Sequence, residues 1–233
     1  MKIGLLQCDH VMPENRAAFG DYSDFFGTLF HQYAPEIVFR LFDVQQDEYP
    51  KDPSQYSGFI GTGSSRSVWE DIPWINQFKR FVHDLYHSEN KFIGICFGHQ
   101  MIAEALGGRC EKSDRGWGVG VKEVTIYQKK DWMNPEQKSY RLIVSHQDQI
   151  SKLPEDAEVL GGNEHCPHSM IAVGSHFLGI QAHPEFTPAY SRRLMQSRID
   201  RIGMKAVQEA EKTLQERTDE AVITQWMANF FRI

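Results

Sequence analysis

Cysteine, cationic charge and long apolar runs are all scarce in this sequence. Its 233 residues hold four cysteines (Cys8, Cys96, Cys110, Cys166) and no Cys-x-x-Cys pair. That excludes a disulfide scaffold and argues against a zinc ribbon or a thioredoxin-type redox motif. The opening residues, MKIGLLQCDHVMPENR, carry one short apolar run broken by Gln7 and Asp9. A signal peptide needs roughly 7–15 apolar residues and a spanning helix roughly 20. A cytoplasmic protein with free thiols and no membrane association is expected. Lys and Arg number 25 against 31 Asp and Glu, a net charge of −6, so the basic surplus of a nucleic-acid binder is missing.

What is present is an ordinary globular mixture. Hydrophobic residues make up 41% and charged residues 24%, which excludes disordered, collagen-like and coiled-coil chains. No repeat or low-complexity linker divides the chain. It is read as one domain over 1–233, with C-terminal helices in 187–233 packed on it.

The first hundred residues alternate apolar runs with helix-length segments. Lys2–Cys8, Ile37–Val44, Ser57–Thr62 and Phe92–Cys96 read as buried strands. Such runs separated by helices predict βαβ units and a parallel sheet covered on both faces. After Pro73, apolar residues at Trp74, Ile75, Phe78, Phe81, Val82 and Leu85 recur at helical spacing, with Pro73 suited to a first turn. Beyond residue 107 the runs are extended again: Gly118–Tyr127, Arg141–Ser145, Glu158–Gly161 and Met170–Ala182. They predict a mixed β segment added to the parallel sheet. Thr187 and Pro188 open a helical region that Gly203 can close, and Thr218-Asp219-Glu220 starts a last helix bearing Val222, Ile223, Trp226, Met227, Phe230 and Phe231. That apolar helix is expected in the core. The Arg192-Arg193 pair and Arg198 with Arg201 are expected to form a solvated helix face.

The chemistry concentrates at Gly94-Ile95-Cys96-Phe97-Gly98, a Gly-x-nucleophile-x-Gly pattern between a strand and a helix. Flanking glycines remove the Cβ atoms that would clash in so tight a turn. Cys96 would then sit at a helix N-terminus, where the dipole and free N–H groups favour a thiolate. The Phe97 N–H would face a developing oxyanion. These five residues alone fit a buried structural cysteine equally well. A second feature is His183-Pro184-Glu185, in which residues two apart on an extended segment share a side, as a base and its orienting carboxylate must. The loop Gly61-Thr62-Gly63-Ser64-Ser65-Arg66 is the third, placed to offer another oxyanion donor.

GICFGHQ, followed about ninety residues later by HPE, resembles the class I glutamine amidotransferase family. The resemblance implies an α/β, flavodoxin-like fold with a mostly parallel central sheet flanked by helices. It implies a triad of Cys96, His183 and Glu185, and an oxyanion hole of Phe97 with Gly63 or Ser64. Gln100, Ser145 and His146 match positions that hold the glutamine. Neither a metal nor a cofactor is implied. The expected reaction is hydrolysis of a γ-glutamyl amide, either glutamine or a γ-glutamyl peptide, through a γ-glutamyl thioester. The oxyanion loop departs from the Gly-Gly-Pro of many synthetase-linked members. The 48 residues after Glu185 contain no nucleotide loop, so ammonia transfer would require a separate synthetase partner in trans. A non-catalytic regulatory homologue is the third possibility. DYSDFF, GSSRSVWEDIPWI and SHQDQI resemble the stand-alone branch that includes γ-glutamyl peptidases.

Other clusters read more plainly. The ligand types in His165-Cys166-Pro167-His168, to which Cys8-Asp9-His10 could add, lie in unbroken runs that fit tetrahedral geometry badly. A loop beside the pocket is expected at 163–168. Trp117, between Gly116 and Gly118, suits either a pocket wall or a packed turn. His99 is expected to be packed in its helix.

Overall fold

The computed structural model describes residues 1–233. Its strands are β1 (Lys2–Gln7), β2 (Val38–Asp43), β3 (Gly58–Gly61), β4 (Phe92–Ile95), β5 (Arg109–Lys112), β6 (Gly118–Ile126), β7 (Ser139–His146), β8 (Asp148–Lys152), β9 (Ala157–Gly162), β10 (Met170–Val173) and β11 (Phe177–Ile180). Its helices are α1 (Pro13–Phe19), α2 (Tyr22–Tyr33), α3 (Pro73–His87), α4 (Phe97–Ala105), α5 (Pro188–Ser197), α6 (Ile199–Ile202), α7 (Met204–Thr213) and α8 (Glu220–Arg232).

Nine strands form one sheet in the order β2-β1-β3-β4-β11-β10-β9-β6-β7. The first five run parallel and the last four alternate in direction. Side-chain alternation sends Ile3, Leu5, Ile60, Ile93 and Ile95 to one face, and Leu6, Phe59 and Phe92 to the other. The first face is sealed by α2 and α8 through Phe26, Phe30, Trp226 and Phe230. The second is sealed by α3 and α4 through Phe78, Val82, Met101 and Ile102. α3 forms because its apolar residues recur every three or four positions, and each fully buried side chain such as Phe78 contributes about 1.5–3 kcal/mol. α8 is core, as its sequence predicts. No helix is long and apolar enough to cross a membrane.

Two expectations change. β2 lies at the sheet edge, so Val38 and Leu41 are exposed instead of buried on both faces. The run 170–182 is not one extended segment. It folds back at Gly174 (φ +58°) into the antiparallel β10–β11 hairpin, and only β11 joins the parallel half, beside β4. A further two-stranded sheet, β5 with β8, stands apart.

Candidate active site

Because β3, β4 and β11 are parallel neighbours, their carboxyl ends meet on one edge of the sheet. In open α/β sheets this edge is where ligands bind. The loop at 61–66 leaves β3 there, Cys96 leaves β4, and 181–186 leaves β11.

Cys96 occupies the turn into α4 with φ +51° and ψ −97°, a conformation that side chains rarely adopt. Its N–H donates to Ile180 O at 2.9 Å, tying the turn to the end of β11. The flanking glycines are required by contact. A Cβ on Gly94 would lie 2.3 Å from the Gly98 carbonyl, and one on Gly98 would lie 2.5 Å from Gly61 O. Phe97 packs its ring in the core between Trp74 and Phe78. Its N–H opens α4, one of the first-turn groups with no intrahelical partner.

His183 is held from three sides. Its N–H donates to Ile143 O at 2.8 Å, its Nδ1 donates to Glu185 Oε1 at 2.7 Å, and the Phe186 ring stacks on its face at 3.9 Å and 9°. His183 and Glu185 are both buried, and Glu185 Oε2 has no other partner. Burial alone would push the imidazole down. The Glu185 carboxylate and negative charge at the Cys96 sulfur overcome it and push His183 up to about 10. Gly63 lies against both: a Cβ there would be 2.8 Å from His183 Cε1 and 3.6 Å from Cys96 Cβ. Asp9 accepts the Ser65 N–H at 2.6 Å and Thr62 Oγ1 accepts the Cys8 N–H at 2.9 Å, fixing the 61–66 loop.

A cavity of about 210 Å³ opens at Cys96 and is lined by Ser64, Gln100, Ser145 and His146. Gln100 spends both amide protons on the protein, donating to Asp148 O at 2.7 Å and Gln181 Oε1 at 3.1 Å. His146, driven down to about 3 by burial, is neutral and donates through Nδ1 to Asp148 O at 3.2 Å. Cys96, His183, Glu185, the 61–66 loop, Gln100, Ser145 and His146 therefore lie together at one end of the sheet.

The remaining histidines disperse. His99 is fully buried and pushed down to about 3 by burial, facing Gly179 from within α4. His165 lies beside His146 with ring centroids 6.0 Å apart, while His168 Nδ1 donates to Ile150 O. The 163–168 segment is the loop expected there, and no group of three or more His, Cys, Asp or Glu side chains is arranged to hold a metal ion.

Arg192, Arg193 and Arg201 are exposed, as a solvated helix face requires, and Arg198 is half-buried. The break between α5 and α6 brings Arg198 and Arg201 to the end of β7, and both also border the cavity with Trp117. Trp69, from GSSRSVWEDIPWI, and Asp148, from SHQDQI, also line it, together with Lys112, which no motif marks.

Residues 61–199 match the family model described as glutamine amidotransferase class-I. γ-Glutamyl peptidase 3 of Arabidopsis thaliana is 29% identical over 241 residues, covering 97% of this chain and 94% of the relative. γ-Glutamyl peptidase 5 of the same plant is 32% identical over 196 residues, covering 80% and 75%. A solved glutamine amidotransferase of Thermotoga maritima is 19% identical, with a TM-score of 0.75 over 99% of both chains, a likeness of fold alone. With the family model spanning well over half of its length, the chain belongs to the class I glutamine amidotransferase family.

Proposed function

We propose that this chain cleaves γ-glutamyl amide bonds by covalent catalysis at Cys96. The thiolate attacks the γ-carbonyl carbon, and charge builds on the carbonyl oxygen. The N–H groups of Phe97 and of Gly63 or Ser64 receive that charge. His183, protonated at rest, gives its Nε2 proton to the departing nitrogen as the C–N bond breaks and the γ-glutamyl thioester remains. Water then attacks the thioester, His183 takes its proton, and glutamate leaves with the thiolate restored. Glu185 holds the ring and its positive charge throughout without accepting the proton. Gln100, Ser145 and His146 border the glutamyl group.

The observation that carries this reading is the meeting of a strained Cys96 elbow with a buried His183–Glu185 pair around Gly63. The γ-glutamyl peptidase names of the two plant relatives support a peptide over glutamine as substrate. The test is to incubate the purified chain with glutamine and γ-glutamyl dipeptides, and to quantify glutamate with the released ammonia or amine. Equimolar products, a γ-glutamyl adduct on Cys96 by mass spectrometry, and an inert Cys96→Ala variant are expected. Turnover that survives Cys96→Ala refutes the mechanism.

A further inference from the structure

The cavity at Cys96 holds more positive charge than a γ-glutamyl group can use. Arg66, Lys112, Arg198 and Arg201 line it against a single acid, Asp148, although the chain as a whole carries a net charge of −6. Arg66 is satisfied by Glu70 at 3.4 Å. Lys112, Arg198 and Arg201 form no ion pair with any carboxylate of the chain. Unpaired cations gathered around a cavity attract anions and raise their local concentration there.

The positions of the two arginines are specific. Arg198 sits at the α5–α6 break with Nη1 3.5 Å from Ser145 Oγ. Arg201 lies one helical turn further on, its guanidinium 5.4 Å from the centroid of the Trp117 ring. Stacking on an indole fixes the plane of a guanidinium and leaves its edge free for a bidentate partner. Arg198, Arg201 and Trp117 thus form one wall of the cavity.

A γ-glutamyl group brings one carboxylate, neutralised overall by its own ammonium. Three unpaired cations leave at least one with no counterpart on that group. Any further anion must then belong to the amine that departs. Resting on the hydrolase reading above, we propose that Arg198 and Arg201, backed by Trp117, form a subsite for a carboxylate on the leaving amine. The substrates are then γ-glutamyl peptides with a free carboxylate on the leaving side. Glutamine and γ-glutamyl derivatives of neutral amines are the poorer substrates.

The experiment compares kcat/KM for γ-glutamyl-alanine, its C-terminal carboxamide and glutamine, with the Cys96→Ala variant as blank. A charge-assisted bidentate contact predicts a preference for the free acid over the carboxamide of about tenfold or more. That preference shrinks as salt is added. Arg201→Gln and Arg198→Gln each draw the acid-to-carboxamide ratio toward one, and Arg201→Lys retains part of it. Equal kcat/KM for acid and carboxamide in the wild type overturns the proposal, as does a ratio that neither glutamine variant moves. Absence of Cys96-dependent cleavage of all three compounds overturns the hydrolase reading and this subsite with it.

Discussion

Glu185→Gln probes the element on which the proposed mechanism depends most. Glu185 Oε1 is 2.7 Å from His183 Nδ1, and both side chains are buried. Burial opposes the imidazolium, yet Glu185 and the Cys96 sulfur hold it protonated up to about 10. Set against the ordinary histidine value near 6.5, this is worth about 5 kcal/mol of preference for the charged ring, at 1.36 kcal/mol per tenfold. Glutamine preserves the shape but removes the larger of the two supporting charges, leaving the Cys96 sulfur alone against burial, and the ring is expected to lose its proton at a lower pH. The proton needed by the leaving nitrogen is then held less firmly, and kcat/KM is expected to fall by about 10³–10⁴, the scale seen when a triad carboxylate becomes an amide. The stability effect has a definite sign. A group whose folded value is raised stabilises the fold fully below about 6.5 and loses that contribution as pH climbs through about 10. Urea unfolding should therefore show the widest gap between wild type and variant at about pH 6, and a smaller one at about pH 10. Activity within about tenfold of wild type, or a stability gap that widens toward alkaline pH, would refute this reasoning.

Two other predictions concern neighbouring parts of the site. The Phe186 ring lies flat on the His183 imidazole at 3.9 Å. Phe186→Leu keeps an apolar filler but loses the π-face, so kcat/KM should drop about 3- to 10-fold and its alkaline limb move to lower pH. An unmoved alkaline limb in the pH–rate profile counts against a role for the stack. The +51° φ of Cys96 makes a second prediction. Cys96→Ala and Cys96→Gly both abolish turnover, but the glycine variant should be more stable than the alanine variant by about 1–2 kcal/mol in urea unfolding. Equal stability of the two would mean that the elbow stores no backbone strain.

The short linear motifs made Cys96, His183 and Glu185 legible, because each sits where one apolar strand ends and the chain must turn. β1, β3 and β4 were legible for a related reason: a strand covered on both faces must be apolar throughout. β2 has the same texture, but edge position is a property of sheet order, which no local pattern encodes. β5 (RCEK) and β8 (DQISK) are mostly polar and short, so neither carries a period to read. α2 did leave a signal, since Asp21 and Asp24 form a reciprocal capping pair at its start. The hairpin at Gly174 hid inside a continuous apolar run, because a tight turn between two buried strands needs little polar sequence. The cavity position of Arg198 and Arg201 was illegible for a different reason. Two arginines three apart on a helix look solvated from the sequence, and Arg201 is indeed exposed, but only the packing of α5 and α6 at the end of β7 sets both beside the cavity.

The glycines of the site have one cause in common, and it concerns approach more than flexibility. Gly94 and Gly98 touch each other across the elbow, Gly98 also meets the backbone of β3, and Gly63 meets His183. Each is a point where the backbone at or just beyond a strand end comes closer to its neighbour than a side chain on it would allow. The three ends are pulled together by the sheet, since β4 is hydrogen-bonded to β3 on one side and to β11 on the other. The apolar residues just behind them, Ile60, Ile95 and Ile180, are fully buried in the same core. The unfavourable features gather on the near side of that plane: a positive φ at Cys96 and a buried Glu185 oxygen without a partner. Strain of this kind persists only where surrounding packing over-determines the conformation. The geometry around Cys96 is thus a consequence of the parallel half of the sheet. A cavity made one residue behind the elbow, as by Ile95→Ala, would loosen the nucleophile without touching the substrate.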